Sequence, residues 1–286
     1  MSTLYVVATP IGNLNDMSPH AVEVLRRVSL IAAEDTRVTM KLTNHFDIHT
    51  PLTSCHQHNE KERSGQIADR MLEEDIDVAV VTDAGTPAIS DPGTYLVKAA
   101  ADRGIPVIAV AGPSAMAAAM SVSGFDLTEF AFYGFLPREK KDLREKLKEI
   151  ARNTDGAIVH ESPYRVKELM HTVAEVLPEA RVSASCDLTK MHELTIRGSA
   201  GEVAEMLEDN EKSEKGEYCI VMDLRNVKKE EPKTENSSMT PEELLFRKLL
   251  NGHSMREAMK EMQEEGEKKN RVYAASLKVK SILQEI

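Results

Sequence analysis

"TDAGTPAISDPG", residues 82–93, is the stretch on which the reading of the chain turns. The apolar run Asp77-Val78-Ala79-Val80-Val81 before it has the pattern of a buried strand, and Tyr95–Ala100 after it has that of a helix. Its two Gly, two Pro, two Asp and three hydroxyl residues call for an explanation, although strand-to-helix turns rich in Gly and Pro are also common as plain connectors. Small residues let backbone N–H and C=O groups come close to a ligand, and in open α/β sheets ligands sit beyond the carboxyl ends of the strands. Three more loops follow strand-like runs in this half: "ATPIGN" (8–13), "AEDTR" (33–37) and "AGPSA" (111–115). One such loop is weak evidence of a site; four on one edge are better evidence.

Outward from these loops, short Val/Ile/Ala-rich runs at 4–8, 29–33, 77–82 and 106–110 alternate with helical patterns. They are apolar on both faces, as in a parallel sheet covered by helices. Ser18-Pro19 and Asp91-Pro92 each place a capping residue before a proline, and so mark helix starts. Residues 1–113 are therefore expected to form an α/β domain. Residues 114–225 carry strand candidates at 130–135, 157–160, 181–188, 192–197 and 217–224, with helices near 140–152, 163–176 and 202–208. The neighbouring runs in "CDLTKMHELTIRG" suggest an antiparallel hairpin, so this second α/β domain is expected to hold a mixed sheet. Through "AGPSAMAAAM" the connection is short, and the two domains should meet along a cleft. Residues 226–239 are polar and charged and read as a linker. Residues 240–286 read as a helical extension, opened by the capping boxes Thr240-Pro241-Glu242-Glu243 and Ser254-Met255-Arg256-Glu257. Leu244, Leu245, Leu249 and Leu250 share one side of its first helix, and a plain helical hairpin is one form it could take.

Composition limits the function. The net charge is −11, and residues 1–225 hold 24 basic against 36 acidic residues, or −12. A surface of that sign does not coat nucleic acid non-specifically, so any polyanion site has to be a local patch. Residues 138–148 form one, with six basic residues against three acidic. Cys55, Cys186 and Cys219 are scattered and odd in number, which suits a reducing cytoplasm. Entry into a strand at Leu4 reads as the absence of a signal peptide, and the most apolar stretch, 105–122, is interrupted by Gly112-Pro113 and makes a poor membrane span. GxxxxGK[ST] and GxGxxG fingerprints are missing, and Ser114 does not sit in GxSxG. Cys55-His56-Gln57-His58 offers ligand-type residues without a partner cluster, so no metal site is expected.

"TPIGNL", "AEDTR", "TDAGTPAISDPG", "GPSA", "GFLPR", "ESPYR" and "LTKMHE" occur in that order over about residues 4–225. In this the sequence resembles the ribosomal RNA small subunit methyltransferase I family of the tetrapyrrole methylase superfamily. The resemblance implies an α/β, two-domain tetrapyrrole-methylase-like fold, with S-adenosylmethionine bent into the cleft and commonly a homodimer. The implied reaction is 2′-O-methylation of a cytidine ribose in the decoding region of 16S ribosomal RNA, on the RNA or the 30S subunit, in the cytoplasm and away from membranes. It puts Asp83, Gly85, Thr86, Ile89 and Ser90 beside the cofactor, Pro10 and Ile11 on a second wall, and Ser114 and Ala115 on a third. From the second domain Lys190 would approach, with Gly216 and Glu217 near the adenine. For Ile11, Ile89 and Ala115, ordinary core filling is an equal reading.

A ribose hydroxyl is a weak acid and could need a base as the bond forms. Asp35 and Glu161 are the candidates, although each could be a structural carboxylate, Asp35 by capping the helix after it or by pairing with Arg37. On the RNA side Arg138, Lys140, Lys141 and Arg144 could grip phosphates, and Arg37 and Arg165 sit in motif loops. A solvated helix with Glu/Lys pairing is the bland reading of the same basic stretch. Phe135 could stack on a base, though one aromatic does not make a platform. Two positions depart from the family: His160 stands where Tyr is usual, and Tyr164 where His is usual. The rival functions are a tetrapyrrole C-methyltransferase of the same fold and a non-catalytic ribosome-assembly factor that keeps the fold; "AEDTR" and "GFLPR" favour RNA.

Overall fold

In the computed structural model, which describes residues 2–210, 213–229 and 239–284, the first half of the chain builds a five-stranded parallel sheet. Its strands are β1 (Leu4–Val7), β2 (Leu30–Ala33), β3 (Leu52–Ser54), β4 (Val78–Val81) and β5 (Val107–Val110), in the order β3-β2-β4-β1-β5. Leu4 pairs with Val78 on one side and Val107 on the other, which fixes the register of the sheet centre. Helices α1 (Pro19–Arg27), α2 (Thr36–His45), α3 (Glu60–Glu74) and α4 (Thr94–Asp102) cover it. One face packs Val24, Leu25 and Ile31, and the other Ile67, Met71 and Leu96. Each such fully buried side chain contributes about 1.5–3 kcal/mol of transfer free energy, which is why β2 and β4 read as continuous apolar runs.

Three local expectations change. β3 was not expected; at three half-buried residues on the sheet edge it is too short to show a period. β5 is the other edge, and Ile108 at its centre is exposed rather than covered on both faces. Asp91 does not cap α4, which starts at Thr94 after Gly93, at φ +131°. The buried carboxylate of Glu60 does that work from α3, accepting the Gly93 and Tyr95 amides at 2.7 and 2.9 Å. Ser18 does cap α1, accepting the Ala21 amide.

The second sheet runs β6-β7-β10-β8-β9, from β6 (Ala131–Phe135), β7 (Gly156–Glu161), β8 (Arg181–Cys186), β9 (Leu194–Ser199) and β10 (Tyr218–Asp223). β6 and β7 are parallel and the other pairs antiparallel, including the β8–β9 hairpin. Successive side chains fall on opposite faces. Ala157, Val159, Ile220 and Met222 face a core shared with α6 (Lys140–Asn153), α7 (Val166–Val176) and α8 (Ala200–Glu208). Ile158, Cys219 and Val221 face α5 (Ala115–Ser123) through Ala119. The stretch read as a short connection is thus itself a helix, whose Ala-rich sequence has no polar stripe to announce it. Val227 packs into the α6–α8 core, so this half runs on past residue 225.

Residues 239–284 contain α9 (Pro241–Leu250), α10 (Met255–Glu264) and α11 (Lys269–Gln284) around a core of Leu244, Leu245, Ala258, Met262, Val272 and Ala275. That is three helices and not a hairpin. Both sequence capping boxes form, while Leu250 is exposed and does not join the buried side. Most of the expected linker, 230–238, lies outside the described residues.

Candidate active site

Loop 82–93 holds its neighbours in place. Thr9 and Gly85 exchange backbone hydrogen bonds at 2.9 and 3.1 Å, and the Thr9 hydroxyl donates to the Thr82 carbonyl at 3.1 Å. This ties loop 8–13 to it. The Asp83 carboxylate accepts the Asp35 amide and the Asp83 amide donates to the Glu34 carboxylate, both at 3.2 Å, which ties loop 33–37. The Thr86 hydroxyl donates to the Pro113 carbonyl at 3.1 Å, which ties loop 111–115. Thr86 and Asp83 of the opening stretch, with the backbone of Gly85, therefore crosslink four strand ends. Its glycines and turns allow the path, with Gly85 at φ +83° and, less comfortably, Ala88 and Ser90 at +65° and +66°.

From the second sheet a loop at 187–190 closes the opposite side. Asp187 and Thr189 sit at φ +51° and +67°, and the Thr189 hydroxyl accepts the Asn13 amide at 3.2 Å. Gly12 is the point of closest approach: a Cβ there would lie 2.5 Å from Lys190 Cγ and 2.9 Å from Thr189 Oγ1. Between these loops lies a cavity of about 390 Å³, within the range of small-molecule sites.

Carboxylates dominate the cavity wall. Glu34, Asp83, Asp91, Glu161, Asp187 and Glu217 line it, against one lysine, Lys190. Lys190 pairs with Asp187 at 2.7 Å; burial works against its charge, but that bond and the nearby acids keep its pKa above the ordinary value. Burial raises Glu34 and Asp83. Asp91 is pushed up to about 6 by burial and then by the charges of Glu34, Asp83 and Glu217. Glu161 is buried; its Oε1 accepts the Ser162 amide at 2.7 Å and faces Arg165 at 3.5 Å, while its Oε2 has no partner. Burial keeps His160 neutral by lowering its pKa. This wall suits a compact cation with hydrogen-bond donors: it offers surplus negative charge and an unsatisfied buried acceptor.

The residues singled out from sequence divide as follows. Ile11, Asp83, Gly85, Thr86, Ile89 and Ser90 line the cavity, as do Ser114, Ala115, Lys190 and Glu217. Ile11 and Ala115 also pack on the α5 core, whereas Ile89 is exposed and fills no core. Pro10 and Gly216 are not on the wall. Pro10 is buried, and Gly216 leaves room for the Asp187 carboxylate, which a Cβ would meet at 2.6 Å. Glu161 is on the wall and Asp35 is not. Asp35 caps α2 through the Arg37 amide and holds the Arg37 guanidinium at 2.6 and 3.0 Å; these bonds lower its carboxyl to about 2. Both structural roles considered for Asp35 are met at once.

Among the basic residues, Arg138, Lys140 and Lys141 are exposed at the start of α6. Arg144 is engaged with Glu175 at 2.6 Å, and Arg165 donates to the Pro137 carbonyl at 2.9 Å, so both serve the fold. Sequence reasoning missed Glu34, Asp91, Phe132, His160 and Asp187. Glu34 was hidden by its neighbour Asp35, and Asp91 by its resemblance to a helix cap. The signal for His160 was strand parity, since it follows Ile158 on the face turned to α5. At Cys55-His56-Gln57-His58, Cys55 is buried and His56 Nδ1 accepts the Asn59 amide; among the described residues no group of three or more His, Cys, Asp or Glu is placed to hold a metal ion.

Two α/β halves, a cleft walled by strand-end loops and the motif order together define a class, and residues 3–204 match the model of the tetrapyrrole (corrin/porphyrin) methylases. The chain belongs to that family and is a methyltransferase. Within it, the chain is 39% identical over 260 residues to ribosomal RNA small subunit methyltransferase I of Halalkalibacterium halodurans, covering 91% of this chain and 89% of that one. It is 43% identical over 222 residues to the protein of the same name from Pseudomonas aeruginosa, covering 77% and 78%. It therefore belongs to the ribosomal RNA small subunit methyltransferase I family. A uroporphyrin-III C-methyltransferase from Thermus thermophilus, solved with S-adenyl homocysteine, superposes with a TM-score of 0.53 at 15% identity, over 77% of this chain and 96% of that one. That likeness is one of fold.

Proposed function

We propose that this protein transfers a methyl group from S-adenosylmethionine to the ribose 2′-oxygen of a cytidine in small-subunit ribosomal RNA. The observation that carries the donor half of this reading is the acidic cavity between the two sheets. A donor bearing a sulfonium and an ammonium group fits surplus carboxylates and the unpartnered Oε2 of Glu161. When bound, it supplies an electrophilic methyl group, and the sulfur keeps the bond pair on departure. Asp83, Gly85 and Thr86 would hold it from one side, and Lys190 and Glu217 from the other.

The chain's own contribution is chiefly position. An in-line approach of hydroxyl oxygen to methyl carbon near roughly 3 Å removes most of the entropic barrier. Loops crosslinked as these are lose little freedom when they do so. Of the two carboxylates that sequence offers as a base, Glu161 is the one on the wall.

The RNA half rests on the family and on the start of α6. Lys140 and Lys141 occupy the first turn, where the helix dipole disfavours cations by about 0.3–1 kcal/mol each. A phosphate bound there would offset that cost. Cytidine, the 2′-oxygen, a homodimeric assembly and a cytoplasmic location follow the family resemblance; among the described residues no helix is long and apolar enough to cross a membrane.

The test is mass mapping of small-subunit RNA after incubation with this protein and isotopically labelled donor. One labelled cytidine ribose supports the reading. Donor binding with label on a tetrapyrrole, and none on RNA, would replace it with the rival methylase. Tight subunit binding with no heat on adding donor would replace it with the assembly factor.

A further inference from the structure

The cavity mouth carries an aromatic surface that donor binding does not explain. Phe135 is 64% exposed yet lines the cavity, in a chain with only six Phe, six Tyr and no Trp. Its position results from a β-bulge. The register between β6 and β7 shifts between Phe132 and Gly134, and Gly134 takes φ +61°. Bulges of this kind redirect the next side chain and concentrate beside active sites. Gly134 is also where β6 meets loop 82–93, since a Cβ there would lie 2.9 Å from Ser90 Oγ.

Phe135 does not stand alone. The His160 ring lies behind it, with centroids 5.9 Å apart and planes tilted by 37°, and Phe132 meets His160 edge-on at 5.1 Å and 84°. Burial keeps the imidazole neutral, so the three rings form one uncharged, supported surface. Three residues on in the chain, the exposed cations begin at Arg138, followed by Lys140 and Lys141. A π-face next to a cationic strip is the recurring arrangement for unpaired nucleotides.

We infer that Phe135, backed by His160 and Phe132, is a stacking ledge for the base of the nucleotide being modified. This rests on the proposed function and deepens it: a ribose inside an RNA fold reaches the donor cavity only if its nucleotide is splayed out, and an exposed ring at the mouth holds the base once it is out. The ledge reads a π-face and not a hydrogen-bonding edge, so it sets position more than sequence.

The natural absence of Trp makes the test direct. In Phe135→Trp the new indole is the single tryptophan, and its emission is expected to be quenched when the protein binds small ribosomal subunits. Phe135→Ala and Phe135→Leu are expected to lose about 10- to 100-fold in kcat/KM for the subunit, the range set by stacking on one base, with donor affinity by calorimetry unchanged. The Leu variant keeps apolar bulk without a π-face, so its loss separates stacking from packing. Wild-type turnover by both variants, or unquenched emission from a complex shown to form, overturns the ledge and leaves the methyltransferase reading standing. A wild-type protein that labels no subunit RNA overturns both.

Discussion

Asp91 offers a quantitative test of the acidic cavity. Its carboxyl is raised from 3.8 to about 6 by burial and by the charges of Glu34, Asp83 and Glu217. The sign follows from linkage: the folded protein holds this proton where the unfolded chain has released it. Stability is therefore lost as pH rises through the window from about 4 to about 6, and above it the ionised carboxylate carries its full cost. At about 1.4 kcal/mol per tenfold, that cost has a ceiling of about 3 kcal/mol, and partial solvent screening of this half-open site brings it to about 1.5 kcal/mol. A bound cation offsets the same repulsion and lowers the carboxyl again. Donor affinity should then be about tenfold weaker near pH 5 than near pH 7.5, with a proton released on binding at the lower pH. Titration calorimetry in two buffers of different ionisation enthalpy counts that proton. Asp91→Asn should flatten the pH dependence, leaving what Glu34 and Asp83 contribute, since burial raises both. An affinity that does not change over this range, or an Asn variant that keeps the whole dependence, would show that the carboxylates do not face the donor.

Gly12→Ala should weaken donor binding at least about tenfold while the fold persists, because its Cβ meets Lys190 at 2.5 Å and overpacking of this kind costs about 1–3 kcal/mol; unchanged calorimetry would mean that the two sides do not close on the ligand. Glu60→Ala should destabilise by about 2 kcal/mol, read from the urea midpoint, since it strands the Gly93 and Tyr95 amides at a buried helix start; Glu60→Gln should lose less. Charge reversal at Lys140 and Lys141 together should weaken subunit binding and lower its salt dependence by up to about 0.7–0.9 for each phosphate no longer neutralised, with donor affinity unaffected; a parallel loss of donor binding would indicate misfolding instead.

How far this site could be read from sequence depended on whether a residue's job was local. β2 and β4 were legible because a strand buried on both faces must be apolar throughout, and the Thr240 and Ser254 capping boxes because their partners lie three residues apart. The strand-end loops were legible as a set, since four on one edge are better evidence of a ligand edge than any one alone. Glu60 was not, because it caps a helix 33 residues away. The capping role that sequence suggests for Asp91 is filled by Glu60. The residue beside Pro92 looked like a cap and faces the cavity, while a carboxylate in the first turn of α3 holds α4. Asp35 was the harder case, since capping, ion pairing and catalysis all call for a carboxylate before a helix. Only the bidentate contact with Arg37 and the absence of Asp35 from the wall separate them.

The charge layout answers an objection to the proposed substrate. RNA is a polyanion, and a body at −12 with an acidic cavity should repel it. Local charge outweighs net charge where a polyanion docks, because exposed charges beyond about 8–10 Å in physiological salt are largely screened. Docking therefore depends on the sign of the surface that the phosphates touch, and on the proposed reading that is the cationic start of α6. The carboxylates then act on a different ligand, by raising the local concentration of a cationic donor. The rings of Phe135 and His160 lie on the same cavity wall and, on the inference drawn above, attract a base without regard to either sign. If these roles were merged, by placing further lysines beside Lys190 on the cavity wall, donor and acceptor would compete for one field. Keeping them apart lets a single narrow cleft bring a cation and a polyanion together.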